Sequence, residues 1–223
     1  MILLFSRPSS ARQRFSSLFF TFFLLLFYLK QPCRLLLNNR EFAMIIAYHA
    51  VFTTYGTWLP NDPRGSFSKE IYNDQLRLLG EIKYGRQIPP PKKSLLKFYS
   101  EAVSVLDSPV FAINDHTRPV IAAGFRTVVK RLGIEIPACA IMNDHIHILV
   151  LRSKYRIEYL VNQFKGAATQ ALKLKQSPWT RGCWKVFIND IEALKAAVNY
   201  INANPTRAGI SAQNWDFVKP LSI

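Results

Sequence analysis

The sequence predicts an α+β protein with a ferredoxin-like or RRM-like core, a split β-α-β-β-α-β unit that forms an antiparallel sheet. Three observations support this fold class. Strand-like and helix-like segments alternate in that order from residue 44 onward, two of the strands form a hairpin, and one more amphipathic helix follows the last strand. Because this architecture hosts many activities, the fold alone does not identify a function.

Composition narrows the class of protein. The chain has 223 residues and 49% hydrophobic residues, which fits one domain with an extension and argues against a disordered chain. Its three cysteines include no close pair, which excludes a disulfide scaffold and a Cys-rich zinc module and favours a cytoplasmic location. The 29 Lys and Arg residues outnumber 14 Asp and Glu residues, giving a net charge of +15 that favours a nucleic-acid partner and a nucleoid association.

Residues 1–43 differ from the rest of the chain. They contain a basic start and an apolar run of twelve residues, Leu18 to Leu29, whereas a membrane span needs about 20. No signal-peptide cleavage pattern follows the run. Two interpretations stay open, namely translated upstream sequence before a true start at Met44, which we favour, and an apolar tail. No stable membrane association is expected, and the remaining residues keep a net charge of +10.

The first strand and a long insertion open the predicted domain. Ile45 to Thr54 is a β-branched and aromatic run without a breaker, which predicts a strand. Residues 54–118 contain the stiff run Pro89-Pro90-Pro91 and predict only short helices, near 69–80 and 94–106. We interpret this stretch as an insertion into the core.

A helix and a hairpin follow the insertion. Apolar residues recur at helical spacing after Pro119, and Gly133 ends that helix. Residues 134–142 and His145 to Leu151 predict two strands joined by a short turn. Pro137 indicates that the first of these strands lies at an edge or carries a bulge.

Two helices and a strand complete the predicted domain. Arg156 to Lys175 is amphipathic, and its polar face is expected to include Lys165. Trp184 to Ile188 predicts the fourth strand. The last helix is expected to run from Ile191 to Ala203 and to stop before Pro205.

A histidine pair is the first chemical signal. His145 and His147 occupy alternate positions of a strand and therefore share one face of the sheet. Two adjacent imidazoles form part of a metal site, although they also suit a polar sheet face without a metal. Ile148-Leu149-Val150 follow the pair, so Leu149 and Val150 stand where a metallo-β-lactamase pattern needs further ligands, and Leu149 stands at the third histidine of a histidine-triad pattern. Both of those classes are disfavoured.

The last helix carries the second signal. Tyr200 and Asn204 are four residues apart and lie on one helix face. The carboxamide oxygen of Asn204 is a suitable ligand for a hard cation. Taken alone, this pair is better explained by structural roles, namely a packed tyrosine and a helix-capping asparagine, than by a metal or catalytic site.

Together these motifs resemble a known family. Met142 to Val150, the sequence Phe164-Lys165-Gly166 and the run YINANPTRAG from Tyr200 to Gly209 occur in the order and spacing of single-tyrosine HUH transposases. This is the insertion sequence 200-like group, and the motifs are most similar to its REP-associated tyrosine transposase (RAYT) branch. The resemblance covers about residues 44–210 and leaves 211–223 as a tail. Asn143 replaces a usual proline, and the insertion is longer than in compact members.

The resemblance implies an activity and a set of site residues. Tyr200 is the expected nucleophile, His145 and His147 are the expected ligands of Mg²⁺ or Mn²⁺, and Asn204 is the third ligand. The implied reaction is cleavage and rejoining of hairpin-bearing single-stranded DNA in DNA transposition, without ATP, through a 5′-phosphotyrosine. A monomer and a homodimer both stay open.

Several residues near the motifs are expected to hold DNA. Lys165 and Arg207 are candidate phosphate contacts, and Arg126 and Lys130 on the first core helix either contact DNA or form a solvated face. Trp58 is expected to stack on an unpaired base or to cover the sheet edge.

Two other functions stay open. One is a hairpin-binding module of the same fold without catalysis, and the intact histidine, tyrosine and asparagine residues argue against it. The other is a related HUH nuclease of replication or plasmid mobilisation, and the short chain with a single tyrosine motif argues against that.

Overall fold

The structure is a computed structural model that describes residues 44–221, so the predictions for residues 1–43 lie outside the described part. A four-stranded antiparallel sheet has the order β2-β3-β1-β4. Its strands are β1 (Ala47–Thr53), β2 (Ala138–Ile141), β3 (His145–Leu151) and β4 (Trp184–Ile188). The helices are α1 (Asp74–Arg77), α2 (Lys92–Val103), α3 (Thr117–Leu132), α4 (Ile157–Ala171) and α5 (Ile191–Arg207). This order and topology confirm the ferredoxin-like arrangement.

The register of the central strands divides the sheet into two faces. β1 pairs with β3 so that His49 lies opposite Leu149 and Val51 lies opposite His147. Because successive side chains of a strand point to opposite faces, His49 and His147 share one face and Phe52 points to the other. The fold therefore separates a polar face from an apolar one.

Helices α3 and α4 cover the apolar face. The ring of Phe52 lies 6.2 Å from that of Phe125 on α3, which lies 5.0 Å from that of Phe164 on α4. All three side chains are fully buried. The burial of these rings and of the aliphatic residues around them is the main stabilising contribution to this layer.

The two helices approach each other closely at Gly124. A Cβ atom at Gly124 would lie 2.9 Å from the carbonyl oxygen of Ala167, whereas a Cβ at Gly166 would meet nothing within 4 Å. We expect Gly124→Ala to lower the free energy of unfolding by about 1–3 kcal/mol, because the helices must move apart. Gly166→Ala should raise it by up to about 1 kcal/mol through helix propensity. Urea unfolding midpoints of the two variants test this, and equal midpoints would contradict the close contact.

The predicted boundaries hold for β3 and β4 and differ at the other elements, most clearly at β2 and at the end of α5. β2 begins only at Ala138, because Pro137 has no N–H to donate and Ile136 forms a parallel bridge with Val218 instead. β2 lies at the sheet edge, as Pro137 indicated. Lys165 is buried rather than on the polar face of α4, since its neighbours Val161 and Ala168 on the same side of the helix are buried as well.

The end of α5 was also predicted incorrectly. The helix continues through Pro205 to Arg207. The last turn keeps its hydrogen bonds beyond the proline, because the N–H groups of Ala208 and Ile210 donate to the carbonyl of Pro205. Beside it, the Asn204 side chain donates to the carbonyl of Tyr200 at 2.9 Å. The proline therefore removes one donor while the last turn stays hydrogen-bonded.

The insertion, residues 54–118, packs around a small apolar cluster of its own. The cluster contains Leu59, Ile71, Leu76, Phe98 and Ala102. Both short helices that the sequence predicted are present here, as α1 and α2. The insertion is thus a folded part of the domain rather than an extended loop.

Both ends of the insertion hold the turn between β2 and β3. The backbone N–H of Thr54 donates to the carbonyl of Asp144 at 2.9 Å, and the hydroxyls of Thr54 and Thr57 lie 3.2 Å from the same oxygen. At the other end, Arg118 donates to the side chain of Asn143 at 2.7 Å. The turn that precedes His145 is therefore fixed from two sides.

Within residues 44–221, no helix combines the length and the apolar character that crossing a bilayer requires.

Candidate active site

Three histidines meet on the polar face of the sheet. The Nε2 atoms of His145 and His147 on β3 are 3.0 Å apart, and Nε2 of His49 on β1 lies 3.0 Å from Nδ1 of His147. His147 is fully buried and His49 nearly so. His49 was not predicted from the sequence, because a single histidine in an apolar strand gives no signal until the pairing of β1 with β3 is known.

The outer nitrogen of each motif histidine has a partner. Nδ1 of His145 lies 2.6 Å from Oδ1 of Asp144, and Nδ1 of His147 faces His49. In the tautomers in which both Nδ1–H groups donate, both Nε2 lone pairs point into the same space. Such outer partners orient metal-binding histidines and make them more basic. Asp144 and His49 are thus positioning residues.

The charge state of these groups suits ligation. Burial and the charge of His145 lower the pKa of His49 to about 4. Burial, His145 and His49 also hold the pKa of His147 well below its ordinary value. Although burial alone would raise it, the hydrogen bond to His145 and the charges of His145 and Arg64 keep the pKa of Asp144 low. Neutral imidazoles are the form that binds a metal.

The spacing of the two Nε2 atoms fits a divalent cation. Two neighbouring ligands of an octahedral ion with bonds of about 2.1 Å are separated by about 3.0 Å, which is the Nε2–Nε2 distance here. Among residues 44–221, no group of three or more His, Cys, Asp or Glu side chains is arranged to hold a metal. The carboxamide of Asn204 on α5 is the residue that the sequence predicted as a third ligand, and a metal role for it stays a prediction.

Helix α5 places Tyr200 directly against the histidines. The Tyr200 ring lies 5.6 Å from the ring of His147 and 6.3 Å from that of His49. Burial raises the pKa of Tyr200 well above its ordinary value, and the hydrogen bond with Asn204 and the charges of Arg86 and Arg207 offset only part of this rise. The structure thus brings Tyr200, Asn204, His145 and His147 to one site, together with cations that favour the phenolate.

The histidine cluster makes the stability of the metal-free protein sensitive to acid. His49 has an ordinary pKa of 6.5 and a pKa of about 4 in the folded protein. Between these values the unfolded chain binds a proton that the folded protein does not. Stability is therefore complete above pH 6.5 and is lost as the pH falls toward 4, by about 3 kcal/mol for His49.

Urea unfolding in EDTA at several pH values tests this expectation. His49→Gln should flatten the acid dependence, and the control His116→Gln, which alters an exposed histidine, should not. An unchanged slope in His49→Gln would contradict the expectation.

The residues that the sequence predicted as DNA contacts lie in different places. Arg207, at the end of α5, is close enough to lower the pKa of Tyr200. Arg126 and Lys130 are exposed on α3, which packs on the opposite face of the sheet, and Arg126 forms an ion pair with Asp216 at 2.7 Å. Arg207 is thus the one of these three that lies at the site.

Lys165 and Trp58 have contacts within the protein. The Lys165 ammonium donates to the carbonyl groups of Thr180 and Gly182, and burial lowers its pKa to about 8. These bonds give Lys165 a structural role, holding the loop before β4. The Trp58 ring packs against Arg64, whose Cζ lies 4.0 Å from the ring centroid. A DNA contact of Lys165 or Trp58 stays a prediction.

Comparison with known proteins shows which family part of the chain resembles. Residues 98–203 match the family described as "Transposase IS200 like", and this stretch contains His145, His147 and Tyr200. One similar solved structure is a REP-associated tyrosine transposase bound to a REP hairpin. It is 14% identical with a TM-score of 0.45, and 82% of this chain and 81% of that chain are covered.

A second similar structure is a proposed transposase from Deinococcus radiodurans R1, 14% identical with a TM-score of 0.37, covering 76% of this chain and 98% of that chain. No curated protein sequence matches the chain. Residues 98–203 thus match the IS200-like transposase family, in agreement with the resemblance that the strand and tyrosine motifs predicted.

Proposed function

We propose that the protein is a metal-dependent tyrosine transposase that cleaves and rejoins single-stranded DNA. The contact of the Tyr200 ring with His147, whose Nε2 faces that of His145, is the observation that carries the proposal. A phenol is a nucleophile, and paired neutral imidazoles hold a divalent cation. The match of residues 98–203 to the IS200-like transposase family supports the same chemistry.

The reaction is a transesterification. The Tyr200 oxygen attacks a backbone phosphorus, an O–P bond to tyrosine forms, and the bond from phosphorus to the 3′ oxygen breaks. The phenol loses one proton and the 3′ oxygen gains one, so no net proton is consumed. The product is a 5′-phosphotyrosine, and attack by a 3′-hydroxyl of another strand end reverses the step. Because the phosphoester bond energy is kept in the intermediate, ATP is not required.

The residues around the phenol have separate roles in the proposed reaction. His145, His147 and Asn204 would hold Mg²⁺ or Mn²⁺, which when bound polarises the phosphate and stabilises the developing charge. Asp144 and His49 orient the two imidazoles. Burial keeps water from the phenol, which limits hydrolysis of the covalent intermediate.

The substrate that we propose is hairpin-bearing single-stranded DNA at the ends of a mobile or repeated element. The net charge of +10 after residue 43 supports a polyanionic partner, and the motif resemblance supports a hairpin. A DNA substrate also supports a nucleoid-associated location in the cytoplasm.

Labelled oligonucleotides test the proposal. Hairpin strands from the DNA that flanks the gene are labelled at the 5′ or the 3′ end and incubated with Mn²⁺ or with EDTA. We expect the 3′ label to move with the protein on a denaturing gel and the 5′ label to appear on a shorter strand, only with Mn²⁺. Mass spectrometry should then locate the nucleotide on the peptide that contains Tyr200.

Two results would contradict the proposal. An adduct that carries the 5′ label would mean attachment through a 3′ phosphate and a different chemistry. Tight hairpin binding without any adduct would favour the non-catalytic binding module.

A further inference from the structure

A pair of backbone segments in the insertion brings Arg86 close to the active site. The N–H of Ser66 donates to the carbonyl of Lys83 at 2.9 Å, that of Gly85 to Ser66 at 2.8 Å, and that of Gln87 to Arg64 at 3.0 Å. Arg86 therefore lies between two residues whose backbone N–H groups are both bonded to the 64–66 segment. Its position is fixed by the backbone of the insertion.

The Trp58 ring packs against two arginine side chains. The Cζ atoms of Arg64 and Arg86 lie 4.0 Å and 5.1 Å from the centroid of its ring, and its Nε1–H donates to the carbonyl of Gly65 at 3.1 Å. Cation–π contacts of this length hold guanidinium groups in place. We call Trp58, Arg64 and Arg86 the arginine–tryptophan platform.

Asp62 holds one arginine of the platform. Oδ1 of Asp62 accepts from the backbone N–H of Arg64 at 2.8 Å and from its Nε at 3.0 Å. Oδ2 accepts from an Nη of Arg64 at 2.7 Å and from the Tyr99 hydroxyl. Asp62 and Tyr99 thus anchor Arg64 within the platform.

The platform borders the site of the proposed reaction. The ring of Phe67, which continues the 64–66 segment, lies 6.5 Å from that of Trp184, and Trp184 lies 6.0 Å from His49. The charge of Arg86 also lowers the pKa of Tyr200. An anion held by Arg86 is therefore near the phenol.

We propose that the arginine–tryptophan platform binds a backbone phosphate of the DNA strand within one nucleotide of the bond that Tyr200 attacks, with Arg86 as the contacting residue. The inference rests on the proposed function. A guanidinium group offers a planar pair of donors that matches two phosphate oxygens. The inserted segment would in this way add a substrate-positioning contact to the core fold.

Neutral phosphate analogues test the contact without cleavage. A single methylphosphonate, which removes one phosphate charge, is placed at each position of the hairpin strand in turn. Binding is measured in a Tyr200→Phe background at constant salt. At one position within one nucleotide of the cleaved bond, we expect the methylphosphonate to weaken binding about tenfold in the protein with Arg86. In Arg86→Gln the same methylphosphonate should weaken binding less than about twofold.

Two further variants control the experiment. Arg152→Gln removes the same charge from an exposed arginine just after β3, at the end of the strand away from His145, and should keep the full methylphosphonate effect. Arg86→Lys keeps the charge without the planar donor pair and should give an intermediate effect. Circular dichroism checks that Arg86→Gln folds. If it does not fold, Arg86→Lys serves as the test in its place.

The outcomes separate this inference from the proposed function. If the methylphosphonate at each position weakens binding equally in the protein with Arg86 and in Arg86→Gln, the inference is overturned. This holds even if the covalent adduct forms. An Arg86-dependent position without any adduct in the protein that retains Tyr200 would overturn the proposed function and leave the phosphate contact standing.

Discussion

Tyr200→Phe should reduce strand cleavage by at least about a thousandfold, because loss of a covalent nucleophile leaves only binding and electrostatic effects. Hairpin binding and the unfolding midpoint should change little, since the phenylalanine ring fills the same space against His147 and His49. Single-turnover rates on a denaturing gel and the binding affinity of the same samples measure both effects.

Tyr159→Phe is the matched control for this variant. Tyr159 is exposed on α4 and stacks on Tyr155 at 5.4 Å, away from the histidine cluster. Its cleavage rate should equal that of the unaltered protein. An adduct that persists in Tyr200→Phe would keep the reaction class and show that another residue is the nucleophile.

His147→Ala should abolish metal-dependent cleavage at every metal concentration. The substitution removes one of the two Nε2 atoms that face each other at 3.0 Å and leaves His145 without its partner. A single imidazole and a carboxamide form a weak site. Titration calorimetry with Mn²⁺ should show no binding in the range in which the unaltered protein binds, and circular dichroism checks that the variant folds.

His49→Gln separates a ligand from a residue that orients a ligand. Because His49 faces Nδ1 of His147, its loss should lower metal affinity by about 10–100-fold without removing a ligand. Added Mn²⁺ should therefore restore cleavage in His49→Gln and not in His147→Ala. If neither variant responds to Mn²⁺, His49 binds the metal directly.

The elements with strong local patterns were predictable from the sequence. β3 and β4 agree with their predicted residues because β-branched and aromatic runs without breakers are specific to strands. Tyr200 and Asn204 were placed on one helix face by their spacing alone, and the structure agrees. The course of α5 past Pro205 was not predictable, because it depends on hydrogen bonds from residues beyond the proline.

Residues whose role depends on distant contacts were missed. His49 reaches His147 only through the register of β1 against β3, across nearly a hundred residues. Arg86 reaches the site only because segments of the insertion pair with each other. Lys165 was expected on the surface, since a lysine in an amphipathic helix is ordinarily solvated, and the carbonyl groups that bury it belong to a loop outside the helix.

The turn before His145 limits where this domain tolerates changes in length. It accepts hydrogen bonds from Thr54, Thr57 and Arg118, at the two ends of the insertion. The two ends of the insertion hold this turn, and the arginine–tryptophan platform lies between them. A graft or deletion that keeps residues 54–57 and Arg118 preserves the orientation of Asp144 toward His145. A cut at either end releases the turn, and a metal bound there would have to order it at the expense of binding affinity. Engineering of a shorter form of this chain should therefore spare both junctions of the insertion and the platform.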